Sequence, residues 1–382
     1  MNTQKIIFAL SLFICFSCSK EETNTGAIEF SQRTVLVYMA ADNNLYNNAK
    51  TDIREILKST IPVGNNLLLY LDAPSWSADS IPQLYLIQEG RLTSVKQYRP
   101  HNSASPEVLN EVLKDAVLSF QAESYGLVLW SHGTGWLPEK GFDSIKSQRM
   151  ASCDNPLIKS FGKEEMQEIN IVDLAATLPV KFEYIIFDAC LMSSIEVLYQ
   201  LRNKAGIIIA SPSETLVDGY PYDKILPFLF DITPRYAEIA QTYMNYYKNK
   251  TGILQSATIA VVATKYLESF AATVKKLAEN GDIAVMSDIF NIQSYDMLDP
   301  SVFYDLQNCL EYFVANEQQL TVIKQQLSRI VLYHDYTPYF LLAYPIVKSC
   351  GISVYISSGD TMFDEQYKQL DWYQDVHLIF SH

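Results

Sequence analysis

The sequence predicts an α/β fold: a mostly parallel sheet with helices on both of its faces. Short runs of β-branched, aliphatic and aromatic residues recur along the chain and alternate with amphipathic stretches of helical period. Several of the runs are apolar at every position rather than every second one, as in strands buried on both faces. Two of them end almost directly in reactive side chains, His132 and Cys190, at the sheet edge where open α/β folds place their ligands.

In chain order, Arg33–Met39 (RTVLVYM) is a strand, and AADNNLYNNAKTDIREILKS is a loop running into an amphipathic helix. Leu67–Asp72 and Gln83–Gln88 are strands. Pro106–Gln121 is a helix with Val108, Leu109, Val112, Leu113, Ala116 and Val117 on one face. Tyr125–Trp130 is a buried strand ending in Ser131-His132-Gly133-Thr134-Gly135-Trp136. Residues 137–163 are a long polar stretch, a length that is functional or disordered in a compact domain. Glu164–Leu178 reads as helix. Phe182–Leu201 (FEYIIFDACLMSSIEVLYQL) begins as a buried strand. It continues with Met192, Ile195, Leu198 and Tyr199 at helical spacing, and Ser193 and Ser194 are suited to helix entry. Gly206–Ala210 is a strand leading into SPSETLVDGYPYD. Beyond it come a helix (Pro234–Lys248), a strand (Ala257–Val262), a helix (Lys265–Glu279), a helix-rich stretch (Pro300–Leu332) and a last strand (Gly351–Ser357). No repeat or boundary divides residues 33–382, which read as one domain.

The chain has 382 residues, 48% hydrophobic and 19% charged, enough to bury a large core. A formal net charge of −14 argues against a nucleic-acid partner. A monomer is expected. At the N-terminus, Lys5 precedes the short apolar run Ile6–Phe16, which reads as an export signal over residues 1–17. Ser17-Cys18 resembles a bacterial lipobox, with Cys18 as the lipidated residue. Ser19-Lys20-Glu21-Glu22 resembles the signal that routes some lipoproteins to the outer leaflet of the outer membrane. Residues 18–32 are then a polar tether, and the protein is expected to be lipid-anchored at the bacterial outer membrane, facing outward or into the periplasm. Of the remaining cysteines, Cys309 and Cys350 lie in apolar surroundings and read as buried core thiols. Cys153 lies in a polar loop, and no spacing suggests a disulfide framework.

Neighbouring parallel strands would bring His132 and Cys190 together as a general base and a nucleophile. A helix starting just after Cys190 would favour its thiolate. Gly133 allows close backbone approach, and the N–H groups of Gly133 and Cys190 are candidate donors to an oxyanion. No HExxH, P-loop or GxGxxG pattern is present, so zinc hydrolysis, nucleotide binding and dinucleotide redox chemistry find no support.

SHGTGW together with FDACLMSSIEVLYQL resembles the clostripain family of cysteine peptidases, and RTVLVYMAADNNL fits the same pattern. The resemblance covers most of residues 33–382. It implies a caspase-like α/β/α sandwich and hydrolysis of peptide bonds after arginine or lysine in protein or peptide substrates, with His132 as catalytic histidine and Cys190 as nucleophile. Thr134 stands where a smaller residue is expected. Basic specificity calls for a carboxylate in the S1 pocket. Asp188, two residues before Cys190, is the first candidate; Asp218, in a VDGY stretch resembling the family's pocket loop, is the second, and Glu214 the third. Asp218 with Asp188 is the favoured pair. Phe142–Ser152 holds Lys146 and Arg149, the expected points of self-cleavage of a zymogen. No cofactor is required; calcium is allowed by the family, with Asp42, Asp72 and Asp79 near strand ends but without EF-hand spacing. The competing readings are an inactive peptidase-like surface lipoprotein that binds peptides or proteins, and a cysteine hydrolase of a non-peptide bond.

Overall fold

Apolar runs of this kind satisfy their backbone groups by pairing edge to edge. The computed structural model describes residues 30–138, 169–233, 235–283, 289, 291–298 and 300–381. The strands are β1 (Ser31–Ala40), β2 (Asn65–Asp72), β3 (Gln83–Gln88), β4 (Arg91–Gln97), β5 (Ala122–Trp130), β6 (Phe182–Asp188), β7 (Ala205–Ala210), β8 (Thr258–Ala263), β9 (Phe303–Asp305), β10 (Val331–Tyr336), β11 (Tyr339–Phe340), β12 (Tyr344–Pro345), β13 (Ser353–Ser357) and β14 (Phe380–Ser381). Nine form one sheet in the order β10-β8-β7-β6-β5-β1-β2-β3-β4. Its centre, from β7 to β2, is parallel. β3 and β8 run the other way, and β4 and β10 reverse again at the edges, so seven of the nine strands point in one direction.

Helices Tyr46–Ile56, Tyr222–Leu229 and Tyr236–Lys248 pack together as one layer. Pro106–Ser119, Ile171–Thr177, Ile195–Gln200, Leu267–Glu279 and Asp371–Val376 form the other. The helix Pro106–Ser119 buries Leu109, Val112, Leu113 and Ala116, the expected face, and Ser105 caps it by accepting from the Val108 N–H at 3.2 Å. Among the described residues, no helix is long and apolar enough to cross a membrane.

The sheet departs from the expected list at its edges. β4 is exposed along most of its length, so it carries no burial pattern; it is made by a two-residue turn in which Glu89 and Gly90 both have positive φ (50° and 71°). β10 alternates between half-buried and exposed residues directly after a helix, begins at the end of the expected helix-rich stretch and was not among the expected strands. The helix Tyr222–Leu229, not among the expected elements, contains Pro227, a residue that disfavours helix interiors. Gly351–Ser357 does form a strand, but β13 lies in a separate small sheet between β14 and β9. Of the helix expected over Glu164–Leu178, Ile171–Thr177 is helical and residues 164–168 lie outside the described residues. The signal peptide, Cys18, Cys153, Lys146 and Arg149 also lie outside them, as does the tether except for its last residues; Ser31 and Gln32 already belong to β1.

Candidate active site

Parallel register sets up the site. β5 and β6 are neighbours with Trp130 opposite Asp188. His132 and Cys190 each stand two residues beyond that pair, so both loops leave the sheet at the same level of the same edge. Gly133 then lies against the backbone of Cys190. A Cβ on Gly133 would sit 2.6 Å from the Cys190 carbonyl oxygen and 3.1 Å from its nitrogen. Gly135, at φ +68°, is equally confined: a Cβ there would sit 2.9 Å from the Leu191 carbonyl oxygen. The glycine requirement expected from substrate approach is thus already imposed by contact between the two loops. Gly133→Ala is predicted to cost about 1–3 kcal/mol of stability through overpacking and to slow Cys190 alkylation by iodoacetamide; thermal melting and the alkylation rate check this. Thr134 is buried and accommodated.

Cys190 does not open a helix. Leu191 takes a left-handed conformation (φ 63°), and the helix begins at Ile195 with Ser194 as its cap. The cap lies four residues after the thiol, beyond the reach of the helix dipole, which acts within the first turn. The donor facing the sulfur comes instead from the loop after β7. The Thr215 N–H donates to Sγ at 3.1 Å, and Sγ lies 3.8 Å from the Thr215 carbonyl oxygen. The same loop holds the turn after Cys190 through Leu191 N–H to Ser213 O at 2.9 Å and Ser193 N–H to Ser211 O at 3.0 Å. β13 supports it from behind, with Ser353 N–H donating to Ser193 O at 2.9 Å. Cys190 is fully buried in this arrangement and His132 nearly so.

His132 Nε2 lies 2.8 Å from Asn44 Oδ1. With the amide oxygen presented, Nε2 carries the proton and the imidazole lone pair is on Nδ1. Sequence reasoning missed Asn44, although it stands just past the end of β1, on the same sheet edge as the other two residues. Asn44→Ala is predicted to lower kcat/KM about two- to tenfold, the worth of one hydrogen bond. Asn44→Asp should move the imidazole midpoint up, because a carboxylate favours imidazolium. A pH-rate profile reads both effects.

The three candidate acids separate cleanly. Asp188 is fully buried and accepts from the Tyr222 hydroxyl at 3.0 Å. Tyr220, Tyr222, Tyr243 and Tyr247 lie around it, each with its phenol pushed well above the ordinary value by burial and then by neighbouring charges that include Asp188. The phenol of Tyr243 is raised by Cys190 as well as by Asp188. Asp218 is exposed, 3.3 Å from the Tyr246 hydroxyl and 3.5 Å from Lys250 Nζ. Tyr247 joins the two regions, feeling both acids and donating to Gly219 O at 2.7 Å. Glu214, the third specificity candidate, is buried and accepts from Met297 N–H at 3.2 Å.

On the other side of the sheet edge, a cavity of about 110 Å³ undercuts the histidine loop, lined mainly by Leu109, Leu129, Ile171, Leu174, Phe187 and Met192. Cys309 and Cys350 are buried core thiols as expected, pushed up by burial first and by Asp305 second. Of the acids near strand ends, Asp79 accepts from the Tyr46 hydroxyl at 2.6 Å, and Asp72 is pushed up to about 6 by burial, with Asp42 adding to the shift. Among the described residues, no three His, Cys, Asp or Glu side chains converge as metal ligands would.

The sequence profile of the clostripain family, a set of C11 peptidases, matches residues 37–378. The chain belongs to the clostripain family of cysteine proteases. Its architecture is similar to an inactive zymogen C11 protease from Parabacteroides distasonis: 31% identity over 90% of this chain and 97% of that one, with a TM-score of 0.74. It is also similar to a secreted C11 cysteine protease from Bacteroides thetaiotaomicron solved with an irreversible peptide inhibitor, at 27% identity over 91% of this chain and 99% of that one, TM-score 0.76. Clostripain from Hathewaya histolytica is 26% identical over 219 residues, which span 50% of this chain and 41% of that protein. The caspase-like α/β/α sandwich is thereby established for this family member, and the two loop motifs and the strand RTVLVYM that suggested it fall within or across the matched span.

Proposed function

We propose that the protein is a cysteine endopeptidase that cleaves after arginine or lysine, with Cys190 as nucleophile and His132 as its proton-transfer partner. The observation that carries this is the Trp130–Asp188 register, which delivers both loops to one level of the sheet edge. The Cys190 thiolate attacks the scissile carbonyl, and the developing oxyanion is met by the N–H groups of Gly133 and Cys190. Imidazolium on His132 protonates the leaving amine as the carbon–nitrogen bond breaks. Water, deprotonated by the same imidazole, then hydrolyses the thioester and restores the thiol. The P1 cation is taken by the buried Asp188, with Asp218 at the exposed end of the same tyrosine-lined region. The inhibitor complex of the Bacteroides thetaiotaomicron relative supports a peptide substrate.

Lys146 and Arg149 supply bonds of the type the enzyme cuts, so self-cleavage there would yield two associated chains. Intact mass spectrometry of wild type beside Cys190→Ala tests this, and a fully active but unclipped enzyme refutes it. The Cys18 lipid anchor stands on the sequence pattern around it, and loss of fatty-acid labelling in Cys18→Ala checks it. Fluorogenic peptides ending in Arg, Lys, Asn and Asp separate this reading from the others. Cleavage after Arg or Lys that vanishes in Cys190→Ala supports the peptidase; absence of turnover after deliberate nicking of the 142–152 stretch favours a binding protein.

A further inference from the structure

We propose that Glu214 is a positioning residue for the nucleophile and that it works as a neutral carboxylic acid. The proposal rests on the reading of Cys190 as the nucleophile. Glu214 immediately precedes Thr215, whose N–H faces Cys190 Sγ. Its Oε1 accepts from the Met297 N–H at 3.2 Å, and its Oε2 lies 2.9 Å from the Tyr344 hydroxyl. That hydroxyl is also 2.7 Å from the Tyr295 carbonyl oxygen. A carbonyl only accepts, so the single Tyr344 proton goes to the shorter contact. Glu214 must then supply the proton of the other.

The neighbouring acid explains why the proton stays on Glu214. Asp296 accepts from three backbone N–H groups, those of Leu298 at 2.9 Å, Val302 at 3.0 Å and Phe303 at 2.7 Å. Such a donor set favours an anion. Burial pushes both carboxyls up, each to about 7; the charge on Asp296 adds to the rise of Glu214, while hydrogen bonds pull both back, three of them from the backbone amides around Asp296. The pair therefore holds one charge and one proton. Among the described residues, the other titratable groups facing it are the Tyr344 phenol and, beside Asp296, Tyr304 from β9, both raised by burial and so protonated through the neutral range.

Neutral Glu214 ties three segments together: the loop after β7, the stretch around Met297, and the hairpin β11–β12. The hairpin turn places Leu341 and Leu342 at φ 50° and 57°, a conformation that disfavours bulky residues and persists only where surrounding contacts impose it. Tyr344 is one such contact. Ionisation of Glu214 would remove its donated hydrogen bond to Tyr344 and set two like charges together, and the adjacent Thr215 N–H would lose its fixed place against the sulfur. Because the folded value is raised, the tie is complete at low pH and is lost as pH rises through about 7.

The test uses the full chain as wild type, Glu214→Gln and Glu214→Ala, followed from about pH 5 to 9. It reads Cys190 alkylation by iodoacetamide and kcat/KM on an arginine-terminated peptide. In glutamine the amide oxygen accepts from Met297 and the amide nitrogen donates to Tyr344, reproducing the neutral acid. The expected result is an alkaline loss of thiol reactivity in wild type that is absent in Glu214→Gln, with the two within about twofold of each other below neutrality. Glu214→Ala should be slower by about tenfold or more across the range. A Gln variant that keeps the wild-type alkaline loss, or is as slow as Ala, overturns the proposal. Because Gln preserves every hydrogen bond, that comparison holds even if Ala fails to fold. If alkylation follows the expected pattern while no variant turns over peptide, the peptidase reading fails and this one stands.

Discussion

Replacing Cys190 by alanine is expected to lower kcat/KM on an arginine-terminated peptide by roughly ten-thousand-fold or more, leaving substrate affinity largely intact. The size follows from the chemistry: without sulfur there is no thioester, and whatever donors remain can only polarise the carbonyl for attack by water. Stability should change little. The side chain is small, and its place is fixed by backbone bonds from Leu191 and Ser193 to the neighbouring loop, which alanine keeps. His132→Ala should fall into the same range, and the double variant should be no worse than either single one, because the two residues act as a unit. An additive double variant, or substantial turnover by Cys190→Ala with no wild-type contamination, would place the nucleophile elsewhere.

Asp188→Asn is expected to reduce kcat/KM for Arg and Lys peptides by roughly a hundred- to several-thousand-fold. Leaving a buried cation without its counter-charge costs about 3–5 kcal/mol. The change is nearly isosteric, and the amide oxygen can still accept from Tyr222, so melting should shift little. Asp218→Asn should cost about tenfold at most, since an exposed carboxylate already close to Lys250 offers a screened and partly satisfied charge. Steady-state kinetics on paired Arg and citrulline peptides separate these effects: wild type should discriminate strongly, Asp188→Asn weakly. A larger loss in Asp218→Asn than in Asp188→Asn would reverse the assignment.

These two predictions show how unevenly the site is written in the chain. His132 and Cys190 were legible because each follows a fully apolar run, and strand ends in a parallel sheet share an edge. Asp188 was legible from its two-residue offset to the thiol. Asn44 obeys the same strand-end rule, but an asparagine in a loop is too common to stand out. The Thr215 N–H has no side-chain signature at all: a backbone donor is available at almost every residue, and only the packing of the β7 loop against the Cys190 turn selects this one. The burial of Glu214 was not legible, because a carboxylate between Ser and Thr carries no local sign of it. Its burial depends on Tyr344 and Met297, 130 and 83 residues away.

The sequence by itself determined the α/β class, most of the central strands, and the two loops on which the chemistry is proposed to rest. Those features follow from local apolar patterning and strand order, which are written continuously along the chain. Tertiary structure decided what surrounds the thiol. It moved the helix start away from Cys190 and replaced the helix dipole with one amide from another loop. It turned the Gly133 requirement from substrate access into loop-to-loop contact, and separated a buried acid from an exposed one. Each of these depends on contacts between segments distant in sequence, where burial and hydrogen-bond partners are set by packing rather than by residue type.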